Sequence, residues 1–372
     1  MRRARWIAPW KDSEEKPAIY HCISRVVERR FAFGDEEREQ FRILMRMYEN
    51  FSGCRALSYC IMSNHIHILL EVPPMPKGGL SDEELLRRLS AIYSEAIVAQ
   101  VAGELAVARE KGIAEHVAAI HARYTYRMHN LSQFMKTVMQ RMTQWFNRIH
   151  ERSGTLWEER FKSVIVESGI AARMMAAYID LNPVRAGIVK DPAEYRWSSY
   201  GDAVGARATG AKGNGKKARE GLVRACMSHK GVGFEAGKWK DVAKLYRKLL
   251  GLALERKAGH ATEMVNEAKR KRLSAVTAAS LEKRAKPEAN SAKIDDNHTV
   301  LPDMKMAEML GHRIRYFTAG AVIGSKMFVN EVFAQARERF SSQRKDGARP
   351  MKGHAEAARG QLWSMRDLKS VT

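Results

Sequence analysis

The sequence predicts an α+β protein: a small antiparallel sheet with helices packed on one face, followed by a basic, mostly helical C-terminal region. Three observations predict it. Strand-like and helix-like apolar patterns alternate over residues 15–200 in the order β-α-β-β-α-β-α. Charge is uneven: residues 1–200 hold 29 Lys and Arg against 24 Asp and Glu, whereas residues 201–372 hold 35 against 18. A run of Gly, Ala and Lys from Gly201 to Gly215 lies between the two parts and reads as a linker over 201–220, with an accessory region at 221–372.

Ala18 to Val27 mixes β-branched and aromatic residues, as a strand does. Asp35, followed by Glu36 and Glu37, reads as the N-cap of a helix running to about Ser52, with Phe41, Leu44, Met45 and Tyr48 along one side and Gly53 beyond its end. Ala56 to Met62 and His65 to Val72 are apolar runs separated by Ser63-Asn64, a hairpin signal, and Pro73, Pro74 and Pro76 stop the second run. Residues 81–129 read as helical throughout from a Ser81-Asp82-Glu83-Glu84 start. Leu131 to His150 repeats Phe134, Val138, Met142, Trp145 and Ile149 on one side of a second long helix. Phe161 to Glu167 is a further strand, and Gly169 to Leu181 a short helix stopped by Asn182-Pro183.

Past the join, Asp241 to Lys257 reads as helical, and residues 269–294 are too polar and charged to form a core and are expected to be flexible. Ile314 to Phe340 reads as two helices broken at Gly324-Ser325, and a helix-turn-helix over Gly320 to Phe333 is one arrangement of that pattern.

At 372 residues and 45% hydrophobic content the chain can build a real core, but its net charge of +22 calls for a polyanionic partner, nucleic acid first. No apolar run suits a membrane span, and the basic Met1-Arg2-Arg3-Ala4-Arg5 start lacks the apolar stretch of a secretory signal. The four cysteines show neither metal-type pairing nor disulfide-scaffold density. A soluble, reduced, cytoplasmic protein is expected.

Chemistry concentrates in two places. On a strand, His65, His67, Leu69 and Glu71 share one face while Ile66, Ile68, Leu70 and Val72 share the other, which is the core face. Two imidazoles spaced this way can chelate one cation, although His-x-His also occurs by chance. Tyr178 and Asn182 lie four apart near a helix end and so share a side. Asn182 offers an amide oxygen as a third neutral ligand, which suits Mg²⁺ or Mn²⁺ acting on an anionic substrate, and Tyr178 would bring a phenol beside it. The ordinary alternatives are a tyrosine packed on the sheet and an asparagine capping a helix before a proline.

Met62-Ser63-Asn64-His65-Ile66-His67-Ile68-Leu69 resembles the HUH motif, two histidines around a hydrophobic residue. Tyr178-Ile179-Asp180-Leu181-Asn182-Pro183-Val184-Arg185-Ala186-Gly187 resembles the tyrosine helix of REP-associated tyrosine transposases, which are single-tyrosine HUH transposases with an IS200-like domain. Thr143-Gln144-Trp145-Phe146-Asn147, Gly154-Thr155-Leu156-Trp157, Arg160-Phe161-Lys162 and Trp197-Ser198-Ser199-Tyr200 follow the same pattern in order, so the resemblance covers about residues 15–200. It implies a ferredoxin-like or RRM-like catalytic domain that acts on single-stranded or hairpin DNA. It also implies Tyr178 as nucleophile, forming a 5′-phosphotyrosine, with His65, His67 and Asn182 as metal ligands. Ser63 stands where a proline is usual, residues 81–129 form an enlarged helical insertion, and the basic second half lies outside the resemblance.

Candidate phosphate contacts are Lys136, Arg141 and Arg148 on the long helix, with Arg160 and Lys162 nearby. In the C-terminal region they are Lys240, Lys244, Arg247 and Lys248, beside Trp239 and Tyr246 as stacking surface. The first group can equally be a solvated helix face, and the C-terminal group is the stronger candidate of the two. Two rivals stand beside the strand-transfer reading, in which a homodimer is kept open: a domesticated binder of structured DNA or RNA that does not cut, and a relaxase or replication initiator, which would bring a third histidine or helicase motifs.

Overall fold

A computed structural model describes residues 5–205, 214–227, 239–251, 310, 315–351 and 362–366. Its centre is an antiparallel sheet of β1 (Ala18–Arg25), β2 (Arg55–Ile61), β3 (His65–Val72) and β4 (Lys162–Val166), in the order β2-β3-β1-β4. Direct cross-strand partners share a face, so the register sets both sides of the sheet. Cys22 opposite Ile68 and Tyr59 opposite Ile68 build the apolar face. Ile23 and Cys60 opposite His67, with His21 opposite Leu69, build the histidine face.

The helix α1 (Asp35–Ser52) lies on the apolar face, where Arg46 stacks over the Tyr59 ring. Its cap is Gly34, one residue before the expected Asp35: Gly34 donates its N–H to Glu37 Oε2 at 2.7 Å, and Gly53 ends the helix in the left-handed conformation (φ 74°). The expected insertion is three helices, α2 (Asp82–Leu89), α3 (Glu95–Glu110) and α4 (Ala114–Thr125). Next, α5 (Leu131–Ile149), capped by Asn130 Oδ1 on the Gln133 N–H, packs on α1. Beyond the helices expected on one face, α6 (Ile170–Asp180) covers the second face against β2 and β3, and α7 (Asn182–Arg185) continues from its end.

The α+β class holds, and the C-terminal region belongs to the same sheet. The stretch read as a linker carries helix on both sides of residues 206–213: α8 (Ser199–Gly205) and α9 (Asn214–Met227). α9 presses on β2 so closely that a Cβ at Gly221 would sit 2.6 Å from the Ala56 carbonyl oxygen. Its Arg224 pairs at 3.0 Å with Glu71, a carboxylate 1% exposed that also meets Arg55 at 3.1 Å. The next helix, α10, spans residues 239–251; the remainder of the helix expected to Lys257 and the polar 269–294 lie outside the described residues.

Gly320 to Phe333 is not a helix-turn-helix. After α11 (Arg315–Ala319), β5 (Val322–Gly324) pairs in parallel with β4, and α12 (Lys326–Gln335) follows, capped by Ser325. Ala321-Val322-Ile323 is fully buried, and the unpaired side of β4 supplies hydrogen bonds that a helix could not use. β6 (Arg349–Pro350) and β7 (Trp363–Met365) complete a seven-stranded sheet, β2-β3-β1-β4-β5-β7-β6.

Candidate active site on the histidine face

β3 delivers the histidines as its alternation requires. His67 is 3% exposed, His65 half-buried, and their rings meet edge to face with centroids 5.0 Å apart. His65 Nδ1 lies 2.6 Å from Asn64 Oδ1. A third histidine, absent from the sequence reading, joins them: His21, wholly buried on β1, places Nε2 2.9 Å from His67 Nδ1 and Nδ1 2.7 Å from the Phe317 carbonyl oxygen. Burial pulls the His21 imidazole down to about 4 and His67 well below its ordinary value, with the neighbouring His65 adding to the latter, so both rings are neutral at pH 7.

α6 brings Tyr178 to the same place. The helix begins after Gly169 and is mostly Ala, Met and Ile, so it lies on the sheet with all but Ile170 and Arg173 buried. The Tyr178 ring sits edge-on to His67 at 6.4 Å and to His21 at 6.3 Å. It is 2% exposed, because Phe317 of α11 covers one side at 4.9 Å and the Arg185 guanidinium lies 4.0 Å over the ring. Arg185 also donates to the carbonyls of Tyr178 (2.5 Å) and Leu310 (3.1 Å).

Asn182 is placed differently. Its Nδ2 donates to the carbonyls of Ile179 (3.1 Å) and Tyr178 (3.4 Å), so the amide closes the end of α6 ahead of Pro183, as a capping residue does. Among the described residues no three His, Cys, Asp or Glu side chains come together as a metal-ligand set. His65 and His67 put two imidazoles on one sheet face with ring centroids 5.0 Å apart, a donor type that divalent transition cations take.

The position between Tyr178 and Asn182 on the chain, Asp180, is fully buried and anchors the site from behind. Its carboxylate accepts from Tyr246 Oη (2.6 Å) and the Tyr200 N–H (2.9 Å), and burial pushes its pKa up to about 7. Tyr246 is therefore a core residue and not a stacking surface, whereas Trp239 is half-buried.

The expected phosphate contacts divide. Arg160 and Lys162 line a groove of about 600 Å³ with Arg25, Thr318 and Arg366. It opens beside the histidines, since Arg25 is the cross-strand partner of His65. Lys136 and Arg160 line a second groove of about 540 Å³ with Arg5. Arg141 and Arg148 are exposed on α5, outside both grooves. Lys240, Lys244, Arg247 and Lys248 are exposed on α10, where Arg247 pairs with Asp191 at 3.1 Å. All four cysteines are buried free thiols, and no helix among the described residues is long and apolar enough to cross a membrane.

Residues 16–103 match the family described as "Transposase IS200 like", the class that the resemblance names. That match contains His65 and His67 and stops before Tyr178 and Asn182. The solved structure of a REP-associated tyrosine transposase bound to a REP hairpin is similar at 12% identity and a TM-score of 0.33, over 56% of this chain and 86% of that one. No curated protein matches the chain.

Proposed function

We propose that this chain is a metal-dependent single-stranded DNA endonuclease and strand transferase of the transposase class, acting on hairpin or palindromic DNA. The observation that carries it is the edge-on meeting of Tyr178 with His67 on one sheet face, from elements far apart in the chain. The family match over residues 16–103 supports the same class. In this reading Tyr178 Oη bonds to a DNA phosphorus as the P–O3′ bond breaks. The phenol gives up its proton and the departing 3′ oxygen takes one, leaving a 5′-phosphotyrosine and a free 3′-OH. The ester energy is kept, so a second 3′-OH can reverse the step and join strands without ATP. Mg²⁺ or Mn²⁺ held by His65, His67 and Asn182 Oδ1 would supply positive charge to the phosphate. The basic groove lined by Arg25, Arg160 and Lys162 seats the strand beside the histidines.

The buried state of Tyr178 favours a second reading, a binder of structured DNA that does not cut. Phe317 must leave the tyrosine ring before DNA can reach it. Full-length protein incubated with a labelled hairpin oligonucleotide and Mg²⁺, then run on a denaturing gel, separates the two. A covalent shifted band that is lost in Tyr178→Phe, with hairpin binding retained, supports strand transfer. Binding without any adduct supports the second reading, and an undiminished band from Tyr178→Phe removes Tyr178 as nucleophile.

A further inference from the structure

The two buried imidazoles, His67 and His21, and the Phe317 carbonyl are joined in a directed chain. A backbone carbonyl can only accept a hydrogen bond, so His21 Nδ1 carries a proton to reach the Phe317 oxygen at 2.7 Å. His21 is wholly buried, with a carbonyl oxygen at one ring nitrogen and His67 at the other and no carboxylate at either, so it carries a single proton and its Nε2 is the acceptor. His67 Nδ1, 2.9 Å away, must then be the donor. The rings lie within 20° of one plane, centroids 5.1 Å apart, the side-by-side orientation that an N–H···N bond needs. With its proton on Nδ1, neutral His67 keeps its lone pair on Nε2.

We infer that His21 is a positioning residue: it locks His67 in the tautomer whose Nε2 can bind a cation, and it is itself locked by the Phe317 carbonyl of the C-terminal region. Histidine metal ligands depend on such an outer partner to fix both tautomer and ring orientation. Here the partner is a second histidine on the neighbouring strand, and its anchor is backbone from α11, so the chain's C-terminal part reaches the nucleophile and a candidate ligand together. The inference rests on the metal role proposed for His67.

The test uses the full chain labelled with ¹⁵N-histidine, stripped of metal, and a two-bond ¹H–¹⁵N correlation spectrum at neutral pH, with His67 assigned by the signals missing from His67→Ala. The wild type should show His67 protonated at Nδ1. His21→Phe keeps a ring of similar size but accepts no hydrogen bond, so His67 should sample both tautomers. Mn²⁺ affinity, read from the free-ion electron paramagnetic resonance signal, should fall about ten-fold or more. His21→Gln, whose amide both accepts and donates, should recover most of that loss, which a purely space-filling role would not produce.

A wild-type spectrum with His67 protonated at Nε2 overturns the inference, whether or not the variants fold. So does a folded His21→Phe with unchanged tautomer and Mn²⁺ curve. A wild type that binds Mn²⁺ no better than the His65→Ala/His67→Ala double variant instead sinks the metal in the proposed function, while the spectrum still decides the relay.

Discussion

The two faces of the central sheet are both buried, yet they are held in opposite ways. The apolar face, with Ile66, Ile68 and Leu70, is held mainly by burial of hydrocarbon, and the buried charges that α1 brings to it, Arg42, Arg46 and Glu49, pair within that helix or with Asp202. The histidine face carries His21, His67 and Glu71, all nearly inaccessible, under α6, α9 and α11. Burying such groups is costly unless each finds a partner, and the partners come from far away: Arg224 for Glu71, Phe317 for His21. One face makes the domain stable. The other uses part of that stability to hold reactive groups dry, and it is complete only when the C-terminal region is in place.

Four substitutions separate the faces, taken from the largest expected effect to the smallest. Phe317→Ala removes the cover of Tyr178 and should cost about 3 kcal/mol in urea unfolding. It should also make Tyr178 reactive to tetranitromethane, with the nitrated peptide identified by mass spectrometry; continued protection would mean that Arg185 alone shields the ring. Ile68→Ala on the opposite face should cost a similar amount, about 2–4 kcal/mol, without exposing Tyr178. Arg224→Met leaves Glu71, among the described residues, with the half-exposed Arg55 as its cationic partner, and a loss of about 2 kcal/mol is expected in the same assay.

The smallest change in stability at neutral pH is a matter of sign. Asp180 titrates near 7 when folded and near 4 when unfolded, so its contribution is fully present below about 4 and declines as pH rises through 7. Asp180→Asn should flatten that decline between pH 4 and 7 in a series of melts, and a difference curve of the opposite slope would show the carboxylate to be preferred when buried.

The apolar face was legible in the sequence almost residue by residue. His65-Ile66-His67-Ile68 declares its alternation, and α1 and α5 have unambiguous apolar sides. His65, His67 and Tyr178 were found because they sit in recognisable local strings. His21 was not, because its place beside His67 depends on which strand pairs with which and in what register, and a lone histidine in a strand says nothing of that. Tyr246 was misread because an aromatic among lysines looks like a stacking surface until its partner, Asp180 on another helix, is known. Val322-Ile323-Gly324 is too short to show a period, and only its pairing with β4 and β7 makes it a strand.

That pairing of β4 with β5 bears on how many copies of the chain assemble. Without β5, β4 would be the outer strand of the four-stranded sheet, with a row of amide and carbonyl groups facing water and the buried Val164 and Val166 beside them. An open edge of that kind is a template for strand addition from another molecule. The C-terminal region fills it from within, through the Ile165 N–H to the Ala321 carbonyl and the Glu167 N–H to the Ile323 carbonyl. A chain shortened to its first two hundred residues thus gains a sticky seam, and self-association through β4 becomes its most accessible fate.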